Sequence, residues 1–185
     1  MKTLSTVLFH ISFRGNLEGV WEPKLPDGDY IGKKPTKYSE PDDINRISVS
    51  SSIDGCLKAI FPNVDKLFEK YPSLDFFVYA ATFNANSKCR LVTPEELTDK
   101  RYVHDAHVTQ EHWLLDPYPM RLYERITVKA LLEEKWTQYK PFNDPHEKLK
   151  DLAPPFEVID RVVINKSVLK SNHTVKLKTN LSNKW

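Results

Sequence analysis

Glycine and cysteine are scarce in this chain of 185 residues, which holds 5 Gly and 2 Cys against 13 Pro. So few glycines exclude the glycine-rich loops that hold phosphates in P-loop and dinucleotide-binding folds, and neither motif occurs. The two cysteines, Cys56 and Cys89, give no disulfide framework and no thiolate zinc site; Cys56 lies in an apolar stretch typical of a core. No serine-nucleophile elbow motif is present either.

Long apolar runs are also missing. No run approaches the ~20 residues that a membrane-spanning helix needs, and the N-terminus lacks the apolar segment and small-residue cleavage site of an export signal. We therefore expect a cytoplasmic protein with no membrane partner. The formal net charge of +2 is small, so the composition neither requires nor excludes nucleic acid as a partner.

What remains is typical of a globular protein, with 40% hydrophobic and 11% aromatic residues. Apolar patterning predicts strands at 7–13, 47–50, 74–81, 122–128, 158–164 and 175–178, with another around Trp113. Helices are predicted from the Ser51-Ser52 cap to Pro62 and then over 63–71, 93–97 and 129–137. The proline-rich residues 21–45 predict a long irregular loop. Strands mixed with helices in this way indicate an α+β fold.

Three polar clusters follow one another along the predicted elements: His10 on the first strand, Ser50-Ser51-Ser52 after the second, and Glu111 at the start of a later one. Each has an ordinary interpretation, as a hydrogen-bonded structural histidine, a helix cap and a surface carboxylate. A carboxylate whose backbone is fixed by strand pairing can also stabilise developing positive charge. The joint order of the three favours a functional site.

The three clusters lie in the stretches Val7-Leu8-Phe9-His10-Ile11-Ser12, then Arg46-Ile47-Ser48-Val49-Ser50-Ser51-Ser52, then Thr109-Gln110-Glu111-His112-Trp113-Leu114-Leu115. In this order they resemble the motifs of the ADP-ribosyltransferase superfamily, whose first strand, second strand and later glutamate line one NAD cleft. The resemblance covers about residues 4–130. It implies an α+β fold of split antiparallel sheets with short helices. Residues 1–130 would be its core, and 131–185 a C-terminal extension that completes or flanks the same domain.

The resemblance implies NAD as substrate and a macromolecular acceptor for ADP-ribose, either protein or nucleic acid. It assigns His10 to the adenosine-side ribose or the nicotinamide half, and the backbone of Ile11 to the carboxamide. Ser50, or else Ser52, would support the carboxylate and the nicotinamide ribose. Glu111 would be the catalytic residue, accepting a hydrogen bond from the ribose 2′-hydroxyl. Cleaving the nicotinamide–ribose bond develops an oxocarbenium-like cation, which a fixed carboxylate stabilises.

Three departures from the family pattern refine these expectations. Thr109 stands where the arginine-specific branch has a second acidic residue, which argues against arginine as the acceptor. His10 in place of arginine is similar to the branch of poly-ADP-ribose polymerases, RNA 2′-phosphotransferases and some DNA-modifying toxins. A serine stands where that branch has a tyrosine in the second motif. The alternative is therefore a non-catalytic binding module of the same fold. By analogy alone, a toxin, phage or defence role would suit the chain.

Other polar and aromatic residues are further candidates for binding a metal, phosphate or a base. The densest cluster of potential metal ligands is His104, Asp105, His107, Glu111 and His112. Residues 105–108 are predicted to be loop or strand rather than helix, so no metal site is expected. Lys33, Lys34 and Lys37 on the long loop could contact phosphates. The tryptophans and tyrosines could include base-stacking residues, although core packing is the expected role for most of them.

Overall fold

An antiparallel sheet forms the framework of the described part of the chain. The computed structural model describes residues 5–26, 41, 43–84, 86–130 and 156–169. The strands are β1 (Ser5–Ser12), β2 (Gly19–Trp21), β3 (Ile47–Ser50), β4 (Ser73–Asn84), β5 (Leu91–Val92), β6 (Glu111–Leu114), β7 (Tyr118–Ala130) and β8 (Phe156–Val163). The helices are α1 (Ile53–Lys70), α2 (Pro94–Asp99) and α3 (Ala106–Thr109), followed by a 3₁₀ turn at Lys166–Leu169. The expected α+β class is confirmed.

The strands are connected in the order β2-β7-β4-β1-β3-β6-β5, and β8 pairs with β7. β1 pairs with β4 along its whole length, and β4 pairs with β7 over most of its own. In contrast, β1 and β3 share a single register pair, Phe9 with Ser50. The described strands thus form one connected sheet with a weak junction between β1 and β3.

Alternation along the strands divides the core between the two faces of the sheet. Phe9 and Val78 pack in one cluster with Leu57 of α1, whereas their chain neighbours Leu8 and Tyr79 pack in a second cluster on the opposite face. A third cluster surrounds the fully buried Trp113 and is built from residues of β5, α2, α3 and the turns between them. The helix α1 covers the first face together with Val168 and Leu169 of the 3₁₀ turn.

The helix prediction around Pro62 is wrong. α1 runs from Ile53 to Lys70 without a break, so the two predicted helices are one. Proline has no N–H, and the carbonyl of Lys58 therefore lacks its usual partner four residues ahead. Apolar packing of Leu57 and Phe68 on the sheet outweighs this local cost. The predictions of an N-cap at Ser52 and of a proline-started turn at Pro94 are confirmed.

The helix predicted over 129–137 is wrong at its start. Lys129 and Ala130 lie in β7, where Lys129 pairs with Ser73 on one side and Glu157 on the other. Pairing on both sides holds the chain extended and overrides its local helical pattern. β8 lies within the predicted extension and adds a strand to the same sheet. The rest of 129–137, the proline-rich 141–155 and the strand predicted at 175–178 lie outside the described residues.

Candidate functional site

A pocket opens where β1 and β3 separate beyond their one register pair. It is lined by His10 and Ile11 of β1, Ser48, Val49 and Ser50 of β3, Cys56, Ala59 and Ile60 of α1, and Thr109 and Glu111. Its volume of about 100 Å³ is smaller than the apolar cavity of about 150 Å³ that holds benzene, so it admits at most one ring-sized group. Four of the five residues assigned to the site from sequence line this pocket, and Ser52 does not.

His10 lies in the gap between the two separating strands. Strand alternation directs its side chain to the face opposite α1, where the ring meets Trp21 edge-on at 4.8 Å. Its Nδ1 lies 2.9 Å from the Ser48 carbonyl oxygen. Because a carbonyl only accepts, Nδ1 carries the proton in this bond. Burial lowers the pKa of His10, with the Ser48 bond opposing it. The ring is therefore neutral near pH 7, and Nε2 is a hydrogen-bond acceptor.

Ser50 acts as a junction between three pieces of backbone. Its Oγ donates to the Thr109 carbonyl at 2.7 Å and accepts from the Ser52 amide at 3.1 Å. The residue is buried. These bonds fix the end of β3 to Thr109 at the end of α3, two residues before Glu111. Ser50 therefore holds in place the backbone that leads to the Glu111 carboxylate. Ser52 caps α1 by accepting from the Gly55 amide, and that bond engages its hydroxyl.

Gly55 explains how α1 comes so close to this junction. A Cβ added at residue 55 would lie 2.0 Å from the Thr109 carbonyl oxygen and 2.3 Å from Ser50 Oγ. Real Cβ atoms do not approach that closely, so glycine alone fits without a shift of backbone. The first turn of α1 is thereby packed against the Ser50–Thr109 hydrogen bond, and it forms one wall of the pocket.

Glu111 opens β6 directly opposite Ser50. The preceding residue, Gln110, has a left-handed backbone with φ of 53°, which ends α3 and turns the chain into the strand. The Gln110 carbonyl accepts from the Ser51 amide at 3.2 Å, and its side chain accepts from the Ser51 hydroxyl. One carboxylate oxygen of Glu111, Oε1, accepts from the Trp113 indole N–H at 2.8 Å. The position of the Glu111 carboxylate is therefore fixed in two ways, by the hydrogen bonds of the preceding residue Gln110 and by the bond from Trp113 to the carboxylate itself.

Cys56 lines the same pocket from α1. Its Sγ donates to the Phe9 carbonyl at 3.3 Å. Burial raises the pKa of the Cys56 thiol to about 12, the bonds with Ser50 oppose this, and the charge of Glu111 adds to the rise. The thiol stays protonated at neutral pH, so Cys56 is not a nucleophile there. The prediction that Cys56 is a core residue is confirmed.

Sequence reasoning missed Thr109 as a backbone acceptor, Gly55, Cys56 as a lining residue, and Trp113 as a donor to Glu111. The sequence does carry a signal for Gly55. The chain has only 5 glycines, and one of them lies in the first turn of a predicted helix. The Trp113 contact follows from strand geometry, since residues two apart on a strand share a face. Nothing local in the sequence marks Thr109, whose role depends on its carbonyl.

The other candidate residues lie apart from the pocket or have other roles. The prediction of loop or strand over residues 105–108 is wrong, because Ala106–Thr109 form the short helix α3. Among the residues the structure describes, no three His, Cys, Asp or Glu side chains lie together as a metal site would need. Trp113 is fully buried and Tyr118 nearly so, and both pack in the core. Lys33, Lys34, Lys37, Trp136 and Trp185 lie outside the described residues. No helix within the described ranges is long and apolar enough to cross a membrane.

The chain was compared with protein-family profiles, with curated proteins and with solved structures. None of the three comparisons found a match. The assignment of a function therefore depends on the geometry of the pocket.

Proposed function

We propose that this protein transfers ADP-ribose from NAD to a macromolecular acceptor, protein or nucleic acid, with Glu111 as the catalytic residue. The observation that supports the proposal is the convergence of His10, Ile11, Ser50 and Glu111 on one pocket. These residues come from three separate stretches of sequence, and a resemblance between short motifs would not by itself bring them together. The same resemblance motivates an ADP-ribosyltransferase-like fold. We keep a cytoplasmic site of action as part of the proposal.

The chemistry follows from a fixed carboxylate beside a ring-sized pocket. With the nicotinamide ring in the pocket, the ribose would lie at its opening, next to Glu111. Departure of nicotinamide leaves positive charge on the ribose, and a carboxylate held in place stabilises that charge more in the transition state than in the ground state. Because its orientation is already fixed, Glu111 need not reorganise during the reaction.

The other residues of the pocket fit this arrangement in different ways. His10 lines the pocket at the gap between β1 and β3, but its ring lies on the face opposite α1, bonded to the Ser48 carbonyl and against Trp21. It therefore supports the edge of the pocket, and its contact with the ligand stays an expectation of the resemblance. Beyond Phe9 the pairing of β1 with β3 stops, and Ile11 lines the pocket at that edge. This is where the resemblance puts backbone hydrogen bonds to the carboxamide. Ser50 supports Glu111 through the backbone of Thr109.

A non-catalytic module that binds a nucleotide or partner is the second candidate. The observation that favours it is the engagement of Ser50 Oγ with two backbone groups, which leaves that hydroxyl poorly suited to contact the ribose. The small volume of the pocket points the same way. In such a module Glu111 would contribute to binding without accelerating cleavage.

The deciding experiment uses NAD labelled in its ADP-ribose moiety, incubated with the protein and fractions of a cytoplasmic extract. Released nicotinamide and label in protein or nucleic acid are both measured. Glu111→Gln, which keeps the size of the side chain, should lower the rate about 100-fold or more, while NAD still raises the melting temperature. The matched control is Glu157→Gln, which alters an exposed strand carboxylate and should match wild type.

Each outcome has a defined meaning. Stabilisation by NAD without cleavage, equal in wild type and Glu111→Gln, supports the binding module. Absence of cleavage, of label transfer and of any stabilisation by NAD overturns both readings of the pocket. Equal cleavage by wild type and Glu111→Gln removes Glu111 from the mechanism.

A further inference from the structure

Trp113 links the pocket carboxylate to the buried core. Its indole Nε1–H donates to Glu111 Oε1 at 2.8 Å, and its side chain is fully buried. Hydrogen bonds to a charged acceptor are roughly twice as strong as neutral ones. A buried indole bonded to a half-buried carboxylate therefore restricts the rotation of that carboxylate strongly.

The indole is itself held by two neighbouring groups. The ring of Tyr102 stacks on it nearly parallel, with the centroids 5.6 Å apart and an interplanar angle of 7°. The Arg46 guanidinium carbon lies 4.1 Å from the centroid of the Trp113 ring. Contacts of both kinds stabilise an aromatic ring beyond its burial alone. The position of the indole N–H is thus determined by side chains outside the pocket.

Arg46 is anchored in turn by backbone groups. Its Nη1 donates to the carbonyl of Pro41 at 2.8 Å and to that of Ile44 at 3.2 Å. Its own amide and carbonyl pair with Lys24. The guanidinium is therefore tied to the chain that enters β3, and contacts run from Arg46 to Trp113 and then to Glu111. Neither Arg46 nor Trp113 lines the pocket.

We propose that Trp113 is a positioning residue that fixes the Glu111 carboxylate through its indole N–H and controls turnover without touching the substrate. This inference rests on the proposed function for its effect on catalysis, but the hydrogen bond itself is independent of that function. A misplaced catalytic group costs rate even when the ligand still binds, since the required geometry is narrow. Loss of the N–H should therefore lower kcat and leave KM for NAD nearly unchanged.

The kinetic test compares Trp113→Phe with wild type. Phenylalanine keeps an aromatic ring in the core but has no N–H donor. We expect kcat for nicotinamide release to fall about 10- to 100-fold, and KM for NAD to change by less than about threefold. The matched control is Tyr118→Phe, which removes the bond from another buried ring to the Thr82 carbonyl; Tyr118 does not line the pocket. Its kcat should equal that of wild type. Equal kcat in Trp113→Phe and Tyr118→Phe would overturn the proposal.

A second measurement needs neither turnover nor a folded variant of Trp113. The indole proton of Trp113 is followed by ¹H–¹⁵N NMR between about pH 3 and pH 7, where carboxyl groups titrate. Bonded to a carboxylate, it should shift with pH in wild type and stay constant in Glu111→Gln. A signal independent of pH in wild type overturns the positioning role. A shifting signal in a protein that does not cleave NAD supports the hydrogen bond and counts against the proposed function alone.

Discussion

The two halves of the sheet are held together in different ways. On one side, β1, β4, β7 and β8 form long ladders in which backbone groups bond to one another, with one register shift in each of the ladders β4–β7 and β7–β8. On the other side, the short strands β3, β6 and β5 meet β1 through one register pair. Side chains replace the missing ladder there, because His10 bonds Ser48, Cys56 bonds Phe9, and Ser50 bonds Thr109, in each case at a carbonyl oxygen.

This difference shows how a sheet acquires a site. Buried backbone carbonyls need partners, and a continuous ladder satisfies them without leaving space between the strands. Where the ladder stops, side chains satisfy them, and the space between strands becomes the pocket. Chemistry-bearing residues are concentrated there for the same reason. We call β1, β4, β7 and β8 the ladder half of the sheet, and β3, β6 and β5 the split half. The ladder half supplies stability through many backbone hydrogen bonds. In the split half, the contacts that replace the missing ladder each depend on a single polar side chain.

Truncating a core residue of the ladder half should have the largest effect on stability. Ile126 is fully buried in β7, and Ile126→Ala should lower the free energy of unfolding by about 2–5 kcal/mol, because it removes apolar contact and leaves a cavity. Urea unfolding gives this value. Lys129→Ala on the same strand changes an exposed side chain and should cost under about 0.5 kcal/mol.

The same variant separates the two halves of the sheet. The rate at which iodoacetamide alkylates Cys56 should increase in Ile126→Ala only by the factor that the loss of global stability explains. A larger rise would mean that the ladder half and the pocket open together, and the contrast between them would then fail.

Adding one methyl group in the split half should have the next largest effect. Gly55→Ala normally gains about 1 kcal/mol in a helix, but here the Cβ meets the Thr109 carbonyl oxygen and Ser50 Oγ. We expect a net loss of about 1–3 kcal/mol. Displacement of α1 should also speed alkylation of Cys56 beyond what that loss explains. Asp54→Ala, an exposed change in the same turn, should cost under about 1 kcal/mol. Greater stability of Gly55→Ala than wild type would contradict the packing described.

Strand positions were predictable from sequence in both halves of the sheet. Alternation located the strands that became β1, β3 and β7, because one buried face imposes a period of two, and a run of β-formers located β4. The continuity of α1 through Pro62 was not predictable in the same way, since packing along the whole helix decides it. For the site, the order of His10, Ser50 and Glu111 was visible. The separation of β1 from β3 was not, because strand register depends on contacts distant in sequence. The roles of Gly55 and Trp113 depend on that register too.

The smallest predicted effect is a pH dependence of stability that comes from His10 in the split. Burial lowers the pKa of His10, so on acidification an unfolded histidine binds a proton near pH 6.5 while the folded one does not. Stability therefore falls as the pH drops below about 6.5, by at most about 1.4 kcal/mol per pH unit, and levels off below the pKa of the folded state. Asparagine can still donate to the Ser48 carbonyl but cannot titrate, so His10→Asn should flatten this slope.

A second histidine sharpens the comparison. Burial also lowers the pKa of His112, although its bond to Gln110 and the charge of Glu95 oppose this. His112 lies on β6 outside the pocket. Among the described residues, no carboxylate charge opposes the shift of His10. We therefore expect His10→Asn to flatten the dependence between about pH 5 and pH 7 more than His112→Asn does. Equal slopes in wild type and His10→Asn would mean that His10 is protonated as readily in the fold as outside it. The imidazole would then be solvated rather than enclosed between β1 and β3, and the gap between those strands would be open to water.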